Sequence, residues 1–248
     1  MRALVLLAFV DLDPELAALG SLGGFFVLRT GVPRRGALPD LAHAYTAAPS
    51  DGPEDVYRDP LTFRVRKVAR SLHAPEARVA ASIAHQGLAA RLWSVALGCA
   101  VLYGRVPDLD PGRLSWDPDG SAPEDLWLDE VRALPVDALD AVVREAHLVP
   151  LTTALASRHG VSERLLWGNA GSALAGAVRM IGHWARTEGR ADVAERARGL
   201  AAGLFAHPDL SGTLDPTTGR RRSCCLYYRL PGGGVCGDCC FDRPPGRD

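Results

Sequence analysis

Five of the six cysteines in this sequence lie within seventeen residues near its C-terminus. They are Cys224, Cys225, Cys236, Cys239 and Cys240. The chain has 248 residues, which is long enough to bury a core without disulfide bonds. We expect a cytoplasmic protein, in which thiols stay reduced. Thiols clustered in this way are then expected to bind metal or to take part in redox chemistry.

The spacing of these cysteines predicts a centre with four thiolate ligands. Cys236 and Cys239 form a C-x-x-C loop, whose two thiolates can converge on one metal ion. The run Pro231-Gly232-Gly233-Gly234 turns the chain, so that the earlier cysteines approach this loop. Neighbours in an extended strand point to opposite faces. Cys224 and Cys225 therefore both act as ligands only if the backbone bends or if they bind different metal atoms.

Two kinds of centre suit four thiolates, namely a closed tetrahedral zinc site and a [2Fe–2S] cluster. Zinc sites usually combine two C-x-x-C loops, and the adjacent pair Cys224-Cys225 departs from that arrangement. The residues alone therefore favour iron–sulfur chemistry and leave structural zinc open.

The pattern Cys-Cys, ten residues, Cys, two residues, Cys resembles the FhuF-type ferric-siderophore reductase family. In that family the four cysteines hold a [2Fe–2S] cluster, which implies that Cys224, Cys225, Cys236 and Cys239 are the ligands here. Cys240 departs from the pattern and is an alternative to Cys239 as the fourth ligand. A weaker similarity to the family's central helical region covers residues 167–172.

The resemblance implies that the protein is a ferric-siderophore reductase. Such a protein accepts an electron from an unidentified donor and passes it to Fe³⁺ in an imported siderophore, so that Fe²⁺ is released in the cytoplasm. Residues 220–248 contain six arginines and three aspartates, a charge that attracts an anionic ferric complex, although a solvated basic tail is the alternative interpretation. We predict that Arg222, Tyr228, Arg229 and Asn169 line the approach of the substrate.

Three other functions compete with this interpretation. They are a zinc-stabilised binding protein without redox activity, an enzyme of siderophore biosynthesis, and an electron-transfer protein with another acceptor. A biosynthetic enzyme needs an ATP site, and the sequence contains no recognisable phosphate-binding loop.

Composition excludes several classes of partner. The net charge of −1 gives no global attraction for nucleic acid. The longest mainly apolar run, Leu92 to Tyr103, has twelve residues, whereas a membrane-spanning helix needs about 20. The apolar run at the N-terminus is short and lacks a clear cleavage site, so we expect no signal peptide. At most, peripheral membrane contact is expected.

The elements that must position the cysteines are predicted to be mainly helical, in an α+β fold with a few short strands. We divide the chain into a helical domain, residues 1–219, and a cluster-binding segment, residues 220–248, packed on it. Cys99 lies on an apolar helix face and is expected to be a core thiol. Helices are predicted over residues 1–20, 38–48, 61–72, 75–103, 137–159 (interrupted at Pro150), 162–186 and 191–206, and strands over 25–28, 113–116 and 126–131, the last two as a hairpin.

Overall fold

A computed structural model describes residues 16, 18–31, 33, 37–48 and 55–246. This part of the chain is mainly helical with a few short strands, which confirms the predicted fold class. The described α-helices are α1 (Leu41–Thr46), α2 (Pro60–Ser71), α3 (Ala77–Tyr103), α4 (Val149–His159), α5 (Glu163–Thr187) and α6 (Ala191–Phe205). The helix predicted over residues 1–20 falls mostly outside the described residues.

Helix α3 runs through the centre of the protein and is buried over most of its 27 residues. A helix that is apolar on all sides is stable only when other elements surround it. Helix α3 begins after Glu76 and ends at Gly104, whose φ of 66° lies in the left-handed region that glycine adopts readily. Cys99 is fully buried within it, as predicted for a core thiol. Helix α5 packs along α3 and α6.

The helix predicted to be interrupted at Pro150 instead changes from one helix type to another just before this residue. Residues Ala141–Leu148 form a π-helix that leads directly into α4. Pro150 lies in the first turn of α4, where the missing N–H of proline costs little. The chain therefore remains helical through this proline.

The strands are short and form two small sheets. Strands β3 (Leu114–Trp116) and β4 (Leu126–Leu128) make the predicted hairpin, with Leu114 opposite Leu128. Strand β1 (Arg29–Thr30) pairs with β4 in parallel. Strands β2 (Arg105–Pro107) and β5 (Ala133–Pro135) form a separate antiparallel pair that the sequence analysis did not predict.

The strand predicted over residues 25–28 is wrong. Gly24–Phe26 form a 3₁₀-helix, and the strand begins only at Arg29. The cause is the buried side chain of Arg91 in α3. Its guanidinium donates to the carbonyls of Gly24 and Phe25 and, at 2.6 Å, to the carbonyl of Val27. These carbonyls are therefore turned towards α3 rather than towards a neighbouring strand.

No helix within the described residues is long and apolar enough to cross a membrane. The boundary predicted between residues 219 and 220 stays a prediction. The contacts described below show that residues on either side of this boundary are hydrogen-bonded to each other.

Candidate iron–sulfur site

The cysteines lie in an irregular segment that follows α6 and folds back on itself. The backbone N–H of Arg221 donates to the carbonyl of Asp238 at 2.8 Å, which joins the two halves of the segment. Between them, Gly233 N–H donates to the carbonyl of Leu230 at 2.8 Å, and Gly232 has a φ of 72°. This is the hydrogen bond of a β-turn with glycine at the position that requires positive φ. The predicted turn therefore brings the Cys224-Cys225 pair beside the C-x-x-C loop.

The thiols approach one another in pairs. The sulfurs of Cys225 and Cys236 are 3.5 Å apart. The thiol of Cys224 hydrogen-bonds to that of Cys240 and lies within electrostatic range of Cys236 and Cys239. The backbone bends directly after Cys225, where Leu226 has a φ of 67°. This bend meets the condition under which both members of an adjacent cysteine pair face one centre.

Burial differs among these thiols. Cys225 and Cys239 are only 4% and 7% exposed, whereas Cys224, Cys236 and Cys240 are half-buried. A centre held by these side chains is therefore shielded on one side and lies near the surface on the other.

Three of the thiols accept a hydrogen bond from the backbone N–H two residues further along the chain. Leu226 N–H donates to Cys224 at 3.3 Å, and Phe241 N–H donates to Cys239 at 3.4 Å. Tyr227 N–H donates to Cys225 in the same way. Such donors stabilise negative charge on sulfur. Cys240 interacts instead with its own backbone N–H.

The contacts between the thiols shift their pKa values in opposite directions. The hydrogen bond from Cys236 lowers the pKa of Cys225 to about 7, and the same contact raises the pKa of Cys236 well above its ordinary value. Burial raises the pKa of Cys224, and it raises the pKa of Cys240 to about 11. The positive charge of Arg221 contributes to the lowered pKa of Cys225, and at Cys236 it opposes the rise in pKa without outweighing it.

Arg221 is the buried cation of the site, with a side chain that is 0% exposed. Its Nε donates to Oδ1 of Asp238 at 2.9 Å. The other carboxylate oxygen of Asp238 accepts from the hydroxyl of Ser172 in α5. Burial by itself raises the pKa of Asp238, but the Ser172 hydrogen bond and the charge of Arg221 outweigh it, so that the pKa is lowered overall. Asp238 is thus held as the anionic partner of Arg221.

Asn169 connects this ion pair to the helices. Its Oδ1 accepts from Nη1 of Arg221 at 2.6 Å, and its Nδ2 donates to the carbonyl of Ser82 at 2.9 Å. The hydroxyl of Ser82 in turn donates to the carbonyl of Cys225 at 2.8 Å. Asn169 is fully buried, so it lies behind the cysteine segment and contacts Arg221 rather than an entering substrate. This differs from its predicted place on the substrate approach.

The segment 167–172, which carries the weaker family similarity, forms the surface on which the cysteine segment packs. A Cβ on Gly168 would lie 2.0 Å from Oγ of Ser223, and a Cβ on Gly171 would lie 2.3 Å from Oγ1 of Thr213. Both positions therefore need glycine for close approach. Gly168 and Ser172 lie four residues apart on one helix face, and both contact the cysteine segment.

The other predicted approach residues lie at the surface but differ in their contacts. Arg229 is paired with Glu76 at the start of α3, and its hydrogen bond lowers the pKa of that carboxyl. Tyr228 packs edge-on against Phe241, with ring centroids 6.0 Å apart. Arg222 is exposed and lines a cavity beside the cysteines.

The donor set fits a [2Fe–2S] cluster, in which each iron takes two thiolates. Two sulfurs on one tetrahedral metal with metal–sulfur bonds of about 2.3 Å lie about 3.7 Å apart, close to the 3.5 Å between Cys225 and Cys236. No three of the described His, Cys, Asp and Glu side chains are arranged around a single metal position. The thiols, N–H donors and Arg221 together suit a centre that is reduced by one electron.

A family comparison agrees with this geometry. Residues 221–241 match the family model of the FhuF 2Fe-2S C-terminal domain. The C-terminal segment is therefore similar to the FhuF-type 2Fe-2S domain, as its cysteine pattern predicts. No curated protein matches the chain. The FhuF segment, residues 221–241, contains all five clustered cysteines together with Arg221 and Asp238. The predicted family resemblance and the predicted cofactor are therefore confirmed.

Proposed function

We propose that this protein is a ferric-siderophore reductase. The observation that carries the proposal is a FhuF 2Fe-2S segment whose thiols lie near the surface, with Cys224 and Cys236 half-buried. A [2Fe–2S] cluster supplies one-electron chemistry when it is bound, and the reduction of Fe³⁺ to Fe²⁺ needs one electron. Siderophore oxygens bind Fe²⁺ far more weakly than Fe³⁺, so reduction releases the metal.

The chain's own residues hold and orient the cofactor in this proposal. The ligands are Cys224, Cys225, Cys236 and Cys239. We assign Cys239 rather than Cys240 as the fourth ligand because Cys239 accepts an N–H hydrogen bond from the residue two positions on, as do Cys224 and Cys225. Arg221 supplies positive charge beside Cys225 and Cys236, which favours the reduced and more negative state.

The site also suits the partners that the proposal requires. Electrons come from a one-electron donor of the cell, and the acceptor is a ferric siderophore that has been imported into the cytoplasm. Any membrane contact is at most peripheral.

The proposal is tested by trapping Fe²⁺ with a chromogenic chelator after anaerobic, reduced protein is mixed with ferric siderophores. Wild-type protein is expected to release Fe²⁺, and Cys236→Ser is expected to lose both the visible absorption of the cluster and Fe²⁺ release. Cys99→Ala, which alters the cysteine outside the segment, is the matched control and should keep both properties. Equal Fe²⁺ release by Cys236→Ser and wild type would refute the proposal.

A further inference from the structure

The guanidinium of Arg221 has one nitrogen without a hydrogen-bond partner among the described residues. Nε donates to Asp238 and Nη1 donates to Asn169, whereas the buried Nη2 meets no acceptor in the described part of the chain. A buried donor that lacks an acceptor is destabilising, and most of all when it is charged. We therefore expect Nη2 to donate to a group that the protein binds.

The partners of Arg221 hold its guanidinium in one position. Asp238 accepts from Nε at 2.9 Å and is itself held by the hydroxyl of Ser172. Asn169 accepts from Nη1 at 2.6 Å, and its own Nδ2 donates to the carbonyl of Ser82 at 2.9 Å. The backbone N–H of Arg221 also donates to the carbonyl of Asp238. Nη2 is therefore fixed relative to the C-x-x-C loop.

Two of the cysteine thiols lie within electrostatic range of this guanidinium. They are Cys225 and Cys236, whose sulfurs are 3.5 Å apart. Neither sulfur accepts a hydrogen bond from Nη2, and Cys225 already accepts one from the backbone N–H of Tyr227. Besides its thiolates, a [2Fe–2S] cluster contains inorganic sulfides that bridge the two irons and accept hydrogen bonds. A bridging sulfide is therefore an acceptor of the kind that Nη2 lacks.

Nδ1 of His85 is the alternative partner, because it is also buried without a hydrogen bond to any described residue. A buried water bridging Nη2 to Nδ1 would satisfy both atoms. Burial, with the positive charge of Arg221 as a second cause, lowers the pKa of His85 to about 3, so the imidazole is neutral. The sulfides, in contrast, carry part of the negative charge of the cluster. A charged donor bonds more strongly to an anionic acceptor, which favours the sulfide.

We propose that Nη2 of Arg221 donates a hydrogen bond to a bridging sulfide of the [2Fe–2S] cluster, with Asp238 and Asn169 positioning the guanidinium. This inference concerns the cofactor and does not depend on the proposed reductase function. The reduced cluster carries one electron more than the oxidised cluster, so its sulfides are stronger acceptors. The hydrogen bond therefore stabilises the reduced state.

Pulsed EPR of the reduced, paramagnetic cluster tests this contact in protein whose arginines carry ¹⁵N only in the guanidinium. The full chain is purified anaerobically with its cluster. The backbone N–H donors to Cys224, Cys225 and Cys239 remain unlabelled and do not contribute a ¹⁵N signal. We expect wild type to show a ¹⁵N coupling and Arg221→Lys to lose it. Arg222→Lys, which changes the exposed neighbouring arginine, is the matched control and should keep the coupling.

Resonance Raman spectra of the oxidised protein identify the acceptor. Reconstitution with ³⁴S-labelled sulfide assigns the Fe–S modes of the bridging sulfides. Transfer from H₂O to D₂O should shift these modes in wild type but not in Arg221→Lys. Arg221→Lys keeps the positive charge but loses the donor, so we expect the equilibrium constant for cluster reduction to fall about tenfold, which corresponds to a potential about 59 mV more negative.

A wild-type spectrum without a guanidinium ¹⁵N coupling would overturn the proposal and assign Nη2 to the water-mediated contact with His85. A coupling that persists in Arg221→Lys would also overturn it, because another arginine would then contact the cluster. A D₂O shift confined to the Fe–cysteine modes would rule out the sulfide as acceptor.

A second variant covers the case in which Arg221→Lys does not retain its cluster. Asn169→Ala keeps the arginine but removes the acceptor of Nη1, so the size of the ¹⁵N coupling is expected to change. An unchanged coupling in Asn169→Ala would overturn the proposal. All of these measurements are made on the cluster itself, so they stay distinct from a failure to release Fe²⁺ from ferric siderophores.

Discussion

Nη1 of Arg221 lies 2.6 Å from Oδ1 of Asn169, and this buried hydrogen bond joins the FhuF segment to helix α5. Asn169 in turn holds Ser82 of α3, whose hydroxyl donates to the carbonyl of Cys225. Cys225, one of the proposed ligands, is therefore connected to both central helices through a short chain of polar contacts. The geometry of the site depends on side chains that are far apart in sequence.

We predict that Arg221→Gln destabilises the protein strongly, because it leaves the buried carboxylate of Asp238 without its cation. Breaking a buried ion pair costs about 3–5 kcal/mol. Urea denaturation measures this loss, with Arg186→Gln as the control for an exposed arginine. In protein that keeps its cluster, potentiometry should also show a more negative reduction potential. A stability equal to that of the control would contradict the role of Arg221.

A second prediction concerns Gly168 and the residue it faces. Alanine usually stabilises a helix interior by about 1 kcal/mol relative to glycine. At Gly168 the added Cβ would meet Oγ of Ser223 at 2.0 Å, so Gly168→Ala should instead destabilise by about 1–3 kcal/mol.

The double variant Gly168→Ala with Ser223→Ala should recover most of this loss, because the Cβ of residue 223 would then be 3.4 Å away. Gly199→Ala in α6 has open space around it and serves as the control, with an expected gain in stability. Additive effects of the two changes in a thermal denaturation cycle would argue against direct contact.

The assignment of the fourth ligand gives a third prediction. Cys239→Ser should lose the visible absorption of the cluster, whereas Cys240→Ser should keep it with about two irons and two sulfides per chain. Iron and sulfide analysis of anaerobically purified variants measures the difference. The reverse result would show that Cys240 is the ligand and that the N–H contact to Cys239 does not mark ligation.

The fourth prediction concerns stability at acidic pH. His147 is fully buried as a single neutral tautomer, with Nε2–H donating to the Leu109 carbonyl at 2.6 Å and Nδ1 accepting from the Tyr45 hydroxyl at 2.8 Å. Burial lowers the pKa of His147 to about 4, from about 6.5 in an unfolded chain. The unfolded state therefore binds more protons between these values, and stability falls as the pH decreases through that range.

The slope expected from His147 is at most about 1.4 kcal/mol per pH unit. Buried His85, whose pKa is lowered to about 3 by burial, adds a similar contribution. His147→Gln should reduce the slope of unfolding free energy against pH by the contribution of about one proton. His183→Gln, at an exposed position, should leave that slope unchanged. An unaltered slope in His147→Gln would contradict this account.

The sequence predicted those helices and turns whose ends are determined by neighbouring residues. Most helices were predicted within a few residues, as for α3, because prolines at helix starts and glycines at helix ends act on the backbone beside them. The turn at Gly232 and the cysteine grouping were predictable for the same reason.

The features that the sequence did not predict depend on contacts between residues that are distant in the chain. The strand expected over residues 25–28 is replaced by a 3₁₀-helix because Arg91 binds its carbonyls from more than sixty residues away. Arg221 and Arg222 are neighbours of the same type, yet Arg221 is buried in an ion pair and Arg222 is exposed. Sequence alone does not distinguish them. Gly168 and Ser172 share one helix face, but their spacing does not indicate which segment packs there.

The most direct test of the reductase proposal is a single-turnover experiment. Protein is reduced anaerobically, freed of excess reductant, and mixed with ferric siderophore while cluster absorption and trapped Fe²⁺ are recorded together. We expect one Fe²⁺ to appear for each cluster oxidised, with the same rate in both signals. A cluster that stays reduced in the presence of ferric siderophore, or Fe²⁺ that appears without cluster oxidation, would contradict the proposed function.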